Sequence, residues 1–445
     1  MTKRTAAAPS SLAGEGWGGG SVAAIGARES TPPLTPPHKG ERNAPCFSRS
    51  EYRARLAAVR RLMEERGVEL CLLSTPENIF YLTGLDHWGY FAPHVLVVPA
   101  EDEMVLIARA MERVTIAHQV TNAAFAGHAD NETAADVAVR ILSDRRFAKG
   151  RIATAADATV AAIADSDAAK ERIGIEFWSA GLPHGLAESL KAAWPRTEWI
   201  DVTGLVDRLR TVTSPAEQNF MRAAAQVSDA AASAAIAAIR EGASEREVAA
   251  ECQRAMIAAG GTYPGFGPFI RSTARLGEEH TTWSDQRFAP GDSVFLELSG
   301  CVARYHAPLG RLVHVGRAPE GTQRMAELCH EAFDAVLGAM RPGTLSRDVY
   351  AAWQAVVDRA GLAEYRRHHC GYLVGIGFPP SWTGGNRVTG LRHDSDLVMQ
   401  TGMTFHVLSW LMGTGRGDFF ISDTVLIGED GPEVMTRTPS GITLR

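Results

Sequence analysis

Apolar residues recur at helical spacing through Leu56, Val59, Leu62 and Met63, behind Ser48-Arg49-Ser50-Glu51, and the pattern stops at Gly67. A capping box followed by a 3.6-residue period predicts an amphipathic helix. The run VELCLLSTP then reads as a strand, and the apolar strands within HVLVVPA and MVLIARA follow a turn-rich aromatic segment that holds Trp88 and Tyr90. Helix and strand patterns alternate up to RTEWIDVTGLV, which predicts an α/β domain of about 150 residues, a common domain size. Near Thr213 the texture changes. Ser214-Pro215-Ala216-Glu217 joins an N-cap, a proline at the first helical position and a glutamate reaching back, and opens an Ala-rich helix that runs to Gly242. Ser244-Glu245-Arg246-Glu247 caps another helix, and Gly343-Thr344-Leu345-Ser346 opens one through Trp353 and Val357. Strand-like runs lie between and after these helices, an order that predicts an α+β domain with helices on one face of a curved antiparallel sheet. The expected division is 48–207 for the first domain and 208–445 for the second. Residues 1–47, rich in Gly, Pro, Ser and Ala and without period, are expected to be disordered or a non-native extension.

One stretch of the second domain breaks the apolar pattern in a telling way. After the turn Pro290-Gly291-Asp292, the run Val294-Phe295-Leu296-Glu297-Leu298 is a strand interrupted by a single acid, with His280 and His306 on either side in sequence. A carboxylate buried without a partner costs several kcal/mol, so Glu297 is expected to face a cleft that holds something cationic or protic.

Composition narrows the choice of ligand. The 445 residues are 45% hydrophobic, enough for two packed domains, and the net charge of -6 comes from interleaved acids and bases. No basic run points to nucleic acid or to an anionic membrane, which leaves a small-molecule substrate. The six cysteines have no C-x-x-C spacing and read as buried thiols of a reducing compartment. No apolar run approaches the ~18 residues of a membrane span, and the N-terminus lacks a secretory h-region, so a cytoplasmic location is expected.

From about Ser48 to Thr436 the chain resembles the aminopeptidase P, prolidase and creatinase superfamily, whose C-terminal domain has the pita-bread fold. The resemblance implies a creatinase-like N-terminal α/β domain before a pita-bread domain. In metallopeptidase members five ligands hold two divalent ions, and here their frames survive without the ligands. The first position is Glu297; eleven residues on, where Arg311 keeps the frame, stands Pro308. The position after Gly371 is Tyr372, that in the frame of Gly402-Met403-Thr404-Phe405 is Leu408, and that in Ile421-Ser422-Asp423-Thr424-Val425 is Ser422. Such a set implies no dinuclear metal site and no cofactor. Within the superfamily the pattern is most similar to the metal-independent ectoine hydrolases. The likeness is carried by His280-Thr281-Thr282-Trp283, the Glu297 strand, Arg304-Tyr305-His306, Pro379-Pro380 with Trp382, Leu391-Arg392 and Gly402 to His406. It departs at Ser381-Trp382-Thr383-Gly384-Gly385-Asn386 and in the glycine-rich stretch from Met412 to Asp418.

What remains suits a substrate that brings its own positive charge. An amidinium pairs with a carboxylate through charge-assisted hydrogen bonds, and its protonation makes the central carbon electrophilic without a Lewis acid. By the resemblance His280 is the general base and later acid, since an imidazole ordinarily titrates near ~6.5; the plainer reading is a histidine hydrogen-bonded in a turn. Glu297 either orients the amidinium or attacks its carbon, and the structural alternative is an ion pair with Arg304 or Arg311. Arg392 stands where creatinase grips the substrate carboxylate, unless it is a solvated surface arginine. Thr282, Trp283, Tyr305, His306, Trp382 and His406 are candidate pocket walls, each equally readable as a core residue with a satisfied polar tip. Trp88 and Tyr90 match the region that reaches across creatinase-like dimers, which implies a homodimer. The adjacent His368 and His369 read as surface or strand residues. The reading is a hydrolase that opens a C–N bond of a carboxylated cyclic amidine, with ectoine, converted to N-acetyl-L-2,4-diaminobutyrate, as the candidate. The alternatives are a metal-dependent Xaa-Pro peptidase-like enzyme and a non-catalytic ligand-binding relative.

Overall fold

The computed structural model describes residues 46–148, 171–384 and 388–445. Ser48 caps the helix Arg49–Glu65 by accepting the Glu51 N–H at 3.2 Å, which is half of the expected capping box, since the Glu51 carboxylate accepts from Arg55 and Ser214 instead of reaching back. Most of the stretch expected to lack order, residues 1–45, lies outside the described residues. Phe47 does not fit that expectation: it is buried edge-on against Tyr52, Phe220 and Tyr305, because a ring of that size contributes more inside an aromatic cluster than in water.

Six strands form the first sheet: β1 (Leu70–Leu73), β2 (Val95–Pro99), β3 (Met104–Arg109), β4 (Ala123–His128), β5 (Arg172–Ile175) and β6 (Glu198–Asp201). Their order is β4-β3-β2-β1-β5-β6, antiparallel where β2 meets its neighbours and parallel elsewhere. The short helix Leu205–Arg210 spans the division expected between 207 and 208, and the next helix, Pro215–Ala238, opens on a complete capping box at Ser214 and Glu217.

The second sheet is built from β7 (Phe269–Ser272), β8 (Ser293–Val302), β9 (Tyr305–His314), β10 (Gly371–Leu373), β11 (Thr404–Leu411) and β12 (Phe419–Ile427), in the order β10-β11-β12-β9-β8-β7 and antiparallel throughout. Strands β13 (Pro432–Val434) and β14 (Thr443–Leu444) join β12 and β9. The helix Pro215–Ala238 lies directly on β8 and β9. Ser228 Oγ donates to the Ala307 carbonyl at 2.5 Å and accepts the Gly300 N–H at 2.7 Å, and a Cβ at Gly300 would stand 2.4 Å from the Ala224 carbonyl. Only glycine permits so close an approach. Farther along the same face, Trp353 of the helix Ser346–Arg359 donates to Ser409 Oγ. The helices thus cover one face of a curled antiparallel sheet, and the other face is left to a cleft, as the α+β reading predicts. All six cysteines are free and five are buried. Among the described residues no helix is long and apolar enough to cross a membrane.

Candidate active site

Residues directly opposite one another in antiparallel strands share a face, and so do residues two apart along a strand. Glu297 of β8 stands opposite Gly310 of β9, Gly310 opposite Ser422 of β12, and Ser422 opposite Leu408 of β11. Pro308 lies two residues before Gly310, and His406, two before Leu408, is opposite Tyr372 of β10. The five positions singled out by the family frames therefore converge on the uncovered face of the sheet, while four of them carry side chains that are not metal ligands.

Two of these residues, Tyr372 and Ser422, join Trp382 and His406 in a buried polar chain. Trp382 Nε1 donates to Tyr372 Oη at 3.0 Å, Tyr372 Oη bonds His406 Nδ1 at 2.9 Å, and His406 Nε2 bonds Ser422 Oγ at 2.7 Å. Burial holds the His406 imidazole neutral, well below its usual pKa, with His369 and Arg311 adding repulsion. Its Nδ1 lies 3.9 Å from Glu297 Oε1. The Glu297 side chain is only 12% exposed. Burial pushes its carboxyl up to about 7, against the pull of Arg271; Glu279 raises it further and Arg367 lowers it. A carboxyl poised there exchanges a proton near neutral pH.

Aromatic rings shape the cleft. Phe295 stacks on Phe420 at 4.9 Å, and Trp410 lies 4.7 Å from Phe420, forming a floor beside Glu297. Trp382 packs against Phe266 at 4.7 Å and Phe269 at 5.6 Å, and the exposed His280 ring lies 6.3 and 6.0 Å from those two phenylalanines at the rim. His280 has a left-handed φ of 52°, a conformation that histidine and asparagine adopt more readily than most residues.

Several expected wall residues lie elsewhere. Tyr305 points to the helix-covered side, donates to Glu217 at 2.7 Å and stacks on Phe220, because neighbours in a strand face opposite ways. His306 is fully buried with both nitrogens used: Nε2 accepts the Gly265 N–H at 2.8 Å and Nδ1 bonds the Arg304 carbonyl at 3.0 Å. Burial, helped by Arg304, drives its pKa down to about 3, so His306 pins the 262–268 loop as a neutral ring. Arg392 is exposed and forks onto Asp394 at 2.8 and 3.1 Å, outside the cleft, because a local carboxylate satisfies it. Replacing Arg392 with Ala is accordingly expected to change KM by less than about twofold, as steady-state kinetics would show; exposed ion pairs of this kind contribute little.

The contacts of the remaining candidates run away from Glu297. Thr282 is exposed and its carbonyl accepts from Arg275; Trp283 is half-buried beside Gly267. Trp88 stacks on Tyr263 at 3.8 Å, and Tyr90 Oη donates to the Leu85 carbonyl at 3.3 Å. The structural alternative for Glu297 fails too: Arg304 serves the carbonyls of Gly377 and Tyr263, and Arg311 serves Asp423 and the carbonyls of Ser422 and Pro439. Two arginines absent from the sequence reading do face Glu297. Arg271 lies 4.4 Å over the Phe295 ring and Arg367 lies 4.6 Å over Trp410. The signal for Arg271 was available, since a basic residue interrupts the apolar β7 as Glu297 interrupts β8.

The donor set does not fit a pair of divalent ions. Beside one carboxylate stand a phenol, a serine hydroxyl and an imidazole already bonded to one another, and among the described residues no three His, Cys, Asp or Glu side chains cluster for a metal.

Comparison with known proteins gives a consistent placement. The chain is 28% identical over 417 residues to ectoine hydrolase of Halomonas elongata, covering 88% of this chain and 97% of that one. It is 29% identical over 266 residues to a Xaa-Pro dipeptidase of Pyrococcus horikoshii, covering 60% and 73%. The solved Xaa-Pro dipeptidase of Bacillus anthracis superposes with a TM-score of 0.73 at 21% identity, over 88% of this chain and all of that one, which shows the shared fold. Residues 55–212 match the creatinase/prolidase N-terminal domain and residues 219–429 match metallopeptidase family M24. With both matches in that order along the two sheets, the chain belongs to the creatinase/prolidase superfamily of M24 hydrolases.

Proposed function

We propose that this protein hydrolyses a C–N bond of a cyclic amidine that carries a carboxylate, without a divalent metal, and that ectoine, opened to N-acetyl-L-2,4-diaminobutyrate, is its substrate. The observation that carries this reading is Glu297: one carboxylate held near neutral pKa among groups that are themselves neutral, Tyr372, His406 and Ser422. Such a site attracts a cation and exchanges a proton with it. The similarity to the Halomonas elongata enzyme along nearly its whole length supports the same substrate.

In this reading the amidinium N–H groups pair with the Glu297 carboxylate while the flat ring rests against Phe269 and Trp382. Water gives a proton to Glu297 as its oxygen bonds to the amidinium carbon. The tetrahedral adduct then collapses: the proton returns to one ring nitrogen, that C–N bond breaks, the adduct's hydroxyl gives up its remaining proton to solvent by way of His280, and a neutral acetamide and a free amine remain. His280 at the rim exchanges protons between the cleft and solvent. Tyr372 and His406 keep their neutral bonds and so do not compete with the substrate for the Glu297 charge. The exposed Trp88 and Phe91, 63% and 77% accessible, support a homodimer as the working assembly, which sedimentation would read directly.

The test is to incubate the purified protein with ectoine and excess chelator and to follow N-acetylated diaminobutyrate by mass spectrometry. Turnover with chelator present is the expected result; full loss on chelation, restored by a divalent ion, would sink the metal-free reading. The pH profile adds a second check. The reactive form is the carboxylate, so kcat/KM is expected to fall about tenfold per pH unit below about 7, and to level off above it. A profile flat from pH 5 to 8 would contradict the role given to Glu297.

A further inference from the structure

Arg271 is only 1% exposed, yet its Nε and Nη1 have no hydrogen-bond partner. It stands two residues after Phe269 in β7 and opposite Phe295, which places it on the same face as Glu297. The other buried arginines of this domain contrast with it, since Arg304 and Arg311 spend their N–H groups on carbonyls and on Asp423. A guanidinium is always charged, and leaving it buried without a partner is among the costlier arrangements a fold can hold. Across the aromatic floor Arg367 repeats the pattern, stacked on Trp410 with its buried Nε unpartnered. Burial lowers the Arg271 pKa in spite of the attraction of Glu279 and Glu297, so those acids do not offset the loss of water. Two guanidinium groups therefore share Glu297, with the exposed Glu279 besides, and Glu297 is itself committed to a cation in the reading above. The cleft holds an uncompensated positive end.

Resting on that reading, we infer that Arg271, with Arg367 beside it, is the anion-binding end of the pocket and grips the substrate's carboxylate through its free N–H groups. Arg392, satisfied by Asp394 at the surface, has no part in it. The assignment makes the substrate a zwitterion held at both ends: cation on Glu297, carboxylate on Arg271. It also makes Arg271 a specificity-determining residue, because a substrate without the anion would leave the buried guanidinium unpaired.

Calorimetric titration of wild type, Arg271→Met and Arg271→Lys with ectoine and with its carboxamide, which keeps the amidinium and loses the anion, tests this. Wild type is expected to prefer ectoine by about 10- to 150-fold, the range for hydrogen bonds to a charged group. Arg271→Met is expected to erase the preference by weakening ectoine alone, and Arg271→Lys to restore part of it. A preference that survives in Arg271→Met, with circular dichroism unchanged, overturns the assignment. A second arm is independent of ectoine: acetate at millimolar concentration is expected to raise the melting temperature of wild type and not of Arg271→Met. If acetate stabilises both alike or neither, the anion site is refuted even where ectoine is hydrolysed. If acetate discriminates while ectoine is neither bound nor turned over, the anion site stands and the substrate assignment falls.

Discussion

Replacing Glu297 with Gln is expected to lower turnover of ectoine by about 10³-fold, within the range that a positioned acid–base group supplies, and at the same time to raise the melting temperature. Both effects come from one fact. The carboxyl titrates at about 7 in the folded protein against an ordinary value of 4.5, with burial as the main cause. A folded-state pKa above the unfolded one means that the fold favours the protonated form. The ionised form destabilises the fold by roughly 3 kcal/mol, since each unit corresponds to about 1.36 kcal/mol. The penalty is absent below pH 4.5, grows as pH rises toward 7, and is complete above it. Glutamine keeps the shape without the charge, so the melting temperature is expected to rise by several degrees at pH 8 and hardly at all at pH 4. Thermal melts at both pH values, alongside product formation, decide the matter. A Glu297→Gln protein that is less stable at pH 8 would mean that Glu297 already has a structural partner, and one that retains turnover would remove it from the chemistry.

The pairing of stability loss with activity explains why this position was legible in sequence. A lone acid in an apolar strand violates the pattern that makes the strand fold, and such local conflicts concentrate at functional sites. The same logic made the helix starts at Ser214 and Ser244 legible, because a capping box is a local device whose two reciprocal bonds need no distant partner. Residues whose roles depend on which way a chain turns were harder. Tyr305 and His306 are adjacent in β9, so both could not line one face, and the alternation of a strand already forbids the pair. Arg392 differs again: its use by Asp394, two residues on, depends on a turn that neither period nor composition specifies. Arg271 went unread for the opposite reason. Its importance lies in bonds it does not make, and a missing partner becomes visible only when β7 is set beside β8 and the aromatic floor is in place.

The other large effect is expected at His280. His280→Asn should lower kcat about 10²-fold while ectoine affinity stays within about threefold, the signature of lost proton transfer without lost binding. Asparagine is the right replacement because the backbone here has φ 52°, which asparagine tolerates, so the 278–283 turn keeps its shape. Alanine would add backbone strain and confuse the two causes. The ring lies against Phe266 and Phe269 at the mouth of the cleft, where it meets both solvent and the aromatic wall beside Glu297. Glu297 takes one proton from water and returns it within each cycle, so His280 is needed to reset the charge of the cleft as the free amine leaves. Its loss should therefore slow a late step. Added imidazole is then expected to restore part of the lost rate in His280→Asn and none in Glu297→Gln, because a diffusible base can reach the rim but cannot replace a carboxylate on the sheet. A rate unchanged in His280→Asn would assign proton exchange to the Tyr372–His406–Ser422 chain instead, since those three groups already touch and reach to within 3.9 Å of Glu297.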